Sequence, residues 1–268
     1  MATNFNNRFS IFLVFAIISL SWGCEDVIEL DLKDAEPRLV IAAGLDVGLQ
    51  TLDVQLSRST PFYSLDSSSL VSDAQIELRS PTKTYTVVEI ETGRYQATQI
   101  EAVSNDSFTL VIRVSDKSYE AKATVPTAAP LIDLEQIELS DLPFRDPSAV
   151  RLTALIEDDP TTKNYYRIQL FQSGENISEG FTVFDDVFAP IDTDFSVPIR
   201  ETFMPKDTVQ VRLLSTNKAY YDYFYQLALV TDPRSNDITP FNPQGNFDNN
   251  ALGYFGIYHA SILEKIIE

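Results

Sequence analysis

The sequence predicts an all-β chain: an N-terminal immunoglobulin-like β-sandwich, then a second β-rich domain with one helix near the C-terminus. Three observations carry this expectation. From Arg38 onward, apolar residues recur at every second position in short runs, the mark of half-buried strands. Proline, glycine and serine clusters separate those runs at the short intervals of a sandwich. Near residue 217 the apolar spacing changes once, from two to the three-and-four step of a helix.

The first domain is expected over 38–126. Leu39-Val40-Ile41 opens it, and Leu52, Val54 and Leu56 alternate with Asp53, Gln55 and Ser57. Ala74, Ile76 and Leu78 follow, then Phe108, Leu110, Ile112 and Val114 on one face with Thr109 and Arg113 on the other. Tyr119, Ala121, Ala123 and Val125 alternate with Glu120, Lys122 and Thr124. Turns are marked by 57–61, 67–69, Ser80-Pro81 and Thr92-Gly93. About seven strands at this spacing fit an immunoglobulin-like sandwich, without the Cys…Trp…Cys pattern of antibody domains. The stretch 125–130, VPTAAP, is stiff and small, and reads as the boundary.

The second domain is expected over 131–268. Val150, Leu152, Ala154 and Ile156 alternate up to the acidic turn Glu157-Asp158-Asp159-Pro160. Tyr166, Ile168 and Leu170 make a strand, and so do Val209, Val211 and Leu213. The helix is expected from about Asn217 to Val230, capped by Ser215 or Thr216. Tyr220, Phe224 and Leu227 share one of its faces. Its tyrosines at 220, 221, 223 and 225 read as core packing ahead of a carbohydrate platform. Residues 232–253 form a long turn-rich stretch, and Tyr254 to Ala260 a closing strand.

The first 37 residues read differently. Met1 to Ser10 is polar with one basic residue, Arg8, and Ile11 to Leu20 is apolar. That run is about ten residues, against roughly 20 for a bilayer-spanning helix. It reads as a signal peptide over 1–23. Cys24, the only cysteine, follows at once and cannot form an internal disulfide. It is the expected lipidation site, with 24–37 as an acidic tether; the plainer reading is an ordinary signal peptide and a stray thiol. More than one acyl chain on Cys24 suffices for stable anchoring. Glu25 and Asp26 resemble the surface-export signal of Bacteroidetes lipoproteins, placing the protein at the outer membrane facing the exterior.

The chain carries a net charge of −19. Nucleic acid is therefore not an expected partner, since phosphate binding needs a surplus of Lys and Arg. His259 is the only histidine, so neither a zinc site nor a Ser-His-acid set is expected. No G-x-S-x-G elbow or phosphate-binding glycine loop occurs. Glu157-Asp158-Asp159 and Asp192-x-Asp194 lack calcium-loop spacing. The expectation is a non-enzyme with no metal and no cofactor. Asp207-Thr208-Val209 fits a short O-glycosylation triplet, or is simply a strand start. Phe241 and Phe247 are the candidate binding residues of the long loop. Two readings of that pair stand level: a docking surface, or two rings folded back to brace the turn.

Several landmarks together carry a family resemblance. They are the Cys24 leader, Leu39-Val40-Ile41, Ala74-Gln75-Ile76-Glu77-Leu78, Gly93-Arg94-Tyr95, and Tyr119-Glu120-Ala121 running to Pro126. Further on they are Asn164-Tyr165-Tyr166, Leu213-Leu214-Ser215 to Tyr220-Tyr221, Asn242-Pro243, Asn246, and Leu252-Gly253-Tyr254-Phe255. The chain resembles the Bacteroidetes outer-membrane lipoproteins classed as domain of unknown function 4249. It departs from them at Asn250-Ala251, where the pattern has a glycine pair. The resemblance implies a lipid-anchored outer-membrane protein, often paired with a TonB-dependent transporter, and no established activity. The function expected is that of a non-enzymatic accessory in nutrient capture, its ligand not named by the sequence. The alternative is an adhesion or envelope-structural module.

Overall fold

In the computed structural model, residues 36–60, 69–139, 146, 148–157, 159–188, 194–232, 239 and 241–268 are described. The leader, Cys24, Glu25 and Asp26 lie outside them, as do Asp158, Asp192 and residues 233–238.

The chain opens with β1 (Leu39–Asp46), β2 (Thr51–Arg58), β3 (Gln75–Arg79), β4 (Thr84–Glu91), β5 (Arg94–Ala97), β6 (Ser107–Val114) and β7 (Lys117–Thr124). One sheet runs β1-β2-β5 and the other β3-β6-β7. The first half of β4 pairs with β3, and its second half with β5. In immunoglobulin letters these are A-B-E and C-F-G, with D shared between them. The expected immunoglobulin-like sandwich is present, and the apolar face of every strand named from the sequence lies in its core. Leu52, Val54, Leu56, Ile76, Leu78, Phe108, Leu110, Ile112, Tyr119, Ala121 and Ala123 are all buried.

Gly93-Arg94-Tyr95 shows why such a triplet has its composition. Gly93 turns the chain at φ +69°, where a side chain would press on the Leu56 carbonyl. The Tyr95 ring is buried in the core. Its hydroxyl donates to Val71 O at 2.9 Å and accepts from Ala74 N at 3.1 Å. Arg94 points to the opposite face of the sheet.

The second half adds β8 (Leu131–Glu138), β9 (Val150–Glu157), β10 (Tyr165–Gln172), β11 (Glu175–Asn176), β12 (Thr182–Asp185), β13 (Asp194–Phe203) and β14 (Thr208–Thr216). Helix α1 (Lys218–Thr231) and β15 (Leu252–Ile266) complete the chain. The order β13-β9-β8 makes a small sheet. It packs on β10 and β14 through Leu152, Ala154, Ile156, Tyr166, Ile168, Leu170, Val209, Val211 and Leu213.

Strand β15 is longer than the Tyr254-to-Ala260 expected. The polar pair Glu264-Lys265 ends the apolar pattern, but its ladder to β14 continues to Ile266. The first half of β15 pairs in parallel with β1, Leu252 to Tyr258 against Val40 to Asp46. Its second half pairs antiparallel with β14. The expected ranges 38–126 and 131–268 meet in this strand. Phe255 and Ile257 enter the first core, while Leu263 packs on the second. One continuous sheet, β10-β14-β15-β1-β2-β5, therefore backs both cores, and Pro37–Glu268 folds as one unit.

The stretch 125–130 crosses the inner face of that sheet. Ala129 N donates to Ser215 Oγ and Leu131 N to Ser261 Oγ, both at 2.9 Å. His259 sits beside Pro126, and burial pushes its imidazole below the usual range, favouring the neutral ring. Because Ser215 serves Ala129 and Thr216 stays in β14, neither caps the helix as expected. Asn217 does, accepting from Tyr220 N at 3.0 Å.

Candidate functional site

Strand alternation sends every second side chain of the shared sheet away from the cores. On that outer face stand Arg94 of β5, Asp53 and Gln55 of β2, and Ala42, Gly44 and Asp46 of β1. Tyr254, Gly256 and Tyr258 of β15, Arg212 and Leu214 of β14, and Arg167 and Gln169 of β10 complete it.

Helix α1 covers one end of the face. Tyr220 and Phe224 are buried there with Leu214. This explains why β10 and β14 are buried on both faces around Arg167 and Leu214. Gly256 makes the docking possible, because a methyl group there would overlap the Tyr220 ring. Tyr220 meets Phe224 at 4.5 Å between ring centroids and Tyr254 edge-on at 5.2 Å. The helical tyrosines thus pack as expected, with Tyr225 the exposed one.

Where α1 ends, a trough of about 280 Å³ remains. Ala42 and Gly44 make its floor, and a Cβ on Gly44 would stand 3.2 Å from Tyr258 Cε1. Asp53, Gln55 and Arg94 line one side, Arg167, Gln169 and Arg212 the other.

The two inner arginines are unusual in so acidic a chain. Arg167 is 9% exposed. Its guanidinium lies 3.9 Å from the Phe224 ring centroid and 5.2 Å from that of Phe181. Among the described residues it makes one side-chain hydrogen bond, Nη1 donating to Tyr220 Oη at 2.7 Å, and pairs with no carboxylate. Arg212 Nη2 donates to Asp46 Oδ2 at 2.6 Å. The Nε atoms of both arginines are buried without a partner. A guanidinium carries five donors, so each spends one and keeps the rest. A buried unsatisfied donor costs about 1–3 kcal/mol, so each guanidinium has bonding capacity that its contacts leave unused.

Burial raises the phenols around them. Tyr258 is pushed up to about 12, although Arg212 pulls the other way. Tyr220 and Tyr254 are raised by the same desolvation. All three stay protonated at neutral pH. The trough therefore offers guanidinium cations and neutral phenols on one side and the Asp53 carboxylate on the other, and its arginine side is suited to an anion. A larger hollow of about 720 Å³ lies by Phe181, Arg200 and Asp232. No buried polar atom lacks a partner there, so it makes the weaker case.

The long loop is fastened by its amides. Asn246 Nδ2 donates to Phe255 O and Asn246 Oδ1 accepts from Phe255 N, each at 2.9 Å. Asp248 Oδ1 accepts from Glu120 N at 2.7 Å, and Asn249 Nδ2 donates to Ser118 O at 2.7 Å. The Asp248 and Asn249 contacts satisfy backbone groups along the outer edge of β7. Asn249 and Asn250 turn the chain at φ +51° and +59°, a left-handed conformation that asparagine tolerates.

The structure places the two phenylalanines apart. Phe247 packs against the first core, and Phe241 is 42% exposed. Phe247→Ala is expected to cost about 1–3 kcal/mol of stability from lost burial. Phe241→Ala should stay within about 0.5 kcal/mol, as surface changes do. Parallel urea titrations of the two variants check this, and equal losses would contradict the placement. Asp159 is occupied within its own turn, accepting from Thr161 N and Oγ1. Thr208 is exposed at the start of β14.

Sequence reading missed Arg167, Arg212, Asp46 and Tyr258. The one local hint was an arginine between the buried Tyr166 and Ile168.

A family model described as "Domain of unknown function (DUF4249)" matches residues 25–262. No curated protein matches the chain. Among solved structures, domains A168–A170 of titin align at 10% identity with a TM-score of 0.23. The alignment covers 69% of this chain, which spans 62% of the titin fragment.

Proposed function

Because the chain belongs to the family classed as domain of unknown function 4249, we propose that it is a non-enzymatic outer-membrane lipoprotein. It is held by Cys24, displayed through Glu25 and Asp26, and serves a TonB-dependent transporter in nutrient capture. The observation that carries this reading is the position of the sole cysteine, directly behind an apolar run too short to span a bilayer. The folded body supports it in kind. The trough on the outer face of the sheet presents arginines, protonated phenols and amides, groups that bind polar ligands. Such a site suits capture better than turnover.

The expected result for Cys24→Ala is loss of acyl label and release from the membrane fraction. Normal labelling of that variant would refute the anchor. Wild-type protein solubilised in mild detergent should bring a TonB-dependent transporter with it. Recovery with other lipoproteins and no transporter would favour the adhesion role instead.

A further inference from the structure

We propose that the trough between Arg94 and Arg212 is a ligand site for a small hydroxylated carboxylate, whose carboxyl group is gripped by Arg167 and Arg212. The site stands on the sheet geometry and does not depend on the anchor or on a transporter.

Four observations converge on it. The first is a cavity of about 280 Å³, floored by Ala42 and Gly44, just below the usual span of roughly 300–1,000 Å³ for ligand pockets. That volume suits a small molecule.

The second is Arg167, nine-tenths buried, lining that cavity with its charge answered only by aromatic faces and one phenol. Guanidinium groups match carboxylates with two parallel hydrogen bonds, which is why they recur wherever planar oxyanions are recognised.

The third is Arg212 beside it. Residues 167 and 212 are diagonal neighbours on adjacent strands, since Arg167 pairs with Leu214 and Gln169 with Arg212. Diagonal neighbours lie within reach of long side chains. Both arginines keep a buried Nε without a partner among the described residues.

The fourth is the local charge. Arg212 pairs with Asp46, Arg94 with Glu91, and Arg167 has no carboxylate partner among the described residues. A monoanion answers Arg167, whereas a phosphate dianion would add a second negative charge next to Asp46 and Asp53. The opposite side supplies Asp53 and Gln55, and Gln169 stands beside the arginines; these groups accept from and donate to hydroxyl groups. Hence the ligand class is a sugar acid or hydroxy acid, not a plain fatty acid.

The test is calorimetric titration of the purified full chain with glucuronate, lactate and benzoate at constant ionic strength. Glucose and inorganic phosphate serve as controls. Saturable one-to-one binding is expected for glucuronate or lactate, tighter than for benzoate, and absent for glucose. Arg212→Gln and Arg167→Gln should each weaken it by about tenfold or more, the loss expected for a charge-assisted bond. Arg167 also braces α1, so its variant risks unfolding. Ala42→Leu fills the floor without touching a charge, and should abolish binding while thermal unfolding stays near wild type. The proposal is overturned if none of the three acids binds, if phosphate alone binds, or if Ala42→Leu and Arg212→Gln bind like wild type. The last result would make the arginines structural staples between sheet and helix.

Discussion

Gly253→Ala is expected to lower the melting temperature by about 5–20 °C. Two costs combine. Gly253 has φ +99°, a conformation that costs a side-chain-bearing residue about 1–3 kcal/mol. The added methyl would also overlap the carbonyl oxygen of Ile41, its ladder partner on β1. A neighbouring strand carbonyl cannot swing aside as a flexible side chain can. Overpacking of this kind costs about 1–3 kcal/mol or more. For a body of this size each kcal/mol shifts the midpoint by about 2–4 °C. Gly245 lies on the far side of Gly253, near enough that its own methyl would meet the Gly253 carbonyl. Three backbone segments thus stack with no room for a Cβ. The control is Gly174→Ala. It has φ +82° with nothing within 4 Å of the added methyl, so it carries the conformational cost alone. Calorimetric scans of the two should show the larger loss at 253. Equal losses would mean that the steric contact does not matter.

Asp46→Ala is expected to destabilise the protein by about 3 kcal/mol. Its carboxylate is almost fully buried and holds two things together. Oδ2 accepts from Arg212 at 2.6 Å, and Oδ1 accepts from Leu49 N at 3.1 Å in the turn after β1. Removing one member of a buried ion pair costs about 3–5 kcal/mol, because the other charge stays buried and alone. The Arg212 side chain is 22% exposed, which places the effect at the lower end of that range. Replacing both members should cost less than the sum of the two single losses. Arg212→Met with Asp46→Ala is expected to recover about 0.5–3 kcal/mol in a double-mutant cycle, read from urea midpoints. Strict additivity would show that the pair contributes nothing as a pair. The Asp46–Arg212 contact joins residues 166 positions apart, so this cycle also reports on the seam between the two halves.

The first sandwich was legible because its signals are local. Leu52, Val54 and Leu56 declare a buried face by spacing alone, and Gly93 declares the turn that follows β4. Tyr220 and Phe224 announce a packed helix in the same way. The sequence points to a cap one or two residues early because Ser215, Thr216 and Asn217 are all good caps. The choice fell to Asn217 once Ser215 was taken by Ala129 from across the inner face. The end of β15 was placed too early because Glu264 and Lys265 break the pattern on a strand held by its ladder.

The site was not legible. Arg94, Arg167 and Arg212 each sit at the polar positions of an alternating strand, where solvent is the ordinary neighbour. Nothing within a dozen residues of Arg167 says that Phe224 will cover it. By itself, then, the sequence determined the all-β class, the faces that go inward and the helix that follows β14, because side-chain periodicity depends only on the backbone's own period. The tertiary structure alone decided that β15 would run parallel to β1 and antiparallel to β14. That pairing joins two sheets into one and turns scattered outward residues into a trough. Strand partners 212 positions apart in the chain, such as Val40 and Leu252, are chosen by the packing of whole faces, and no local period encodes that choice.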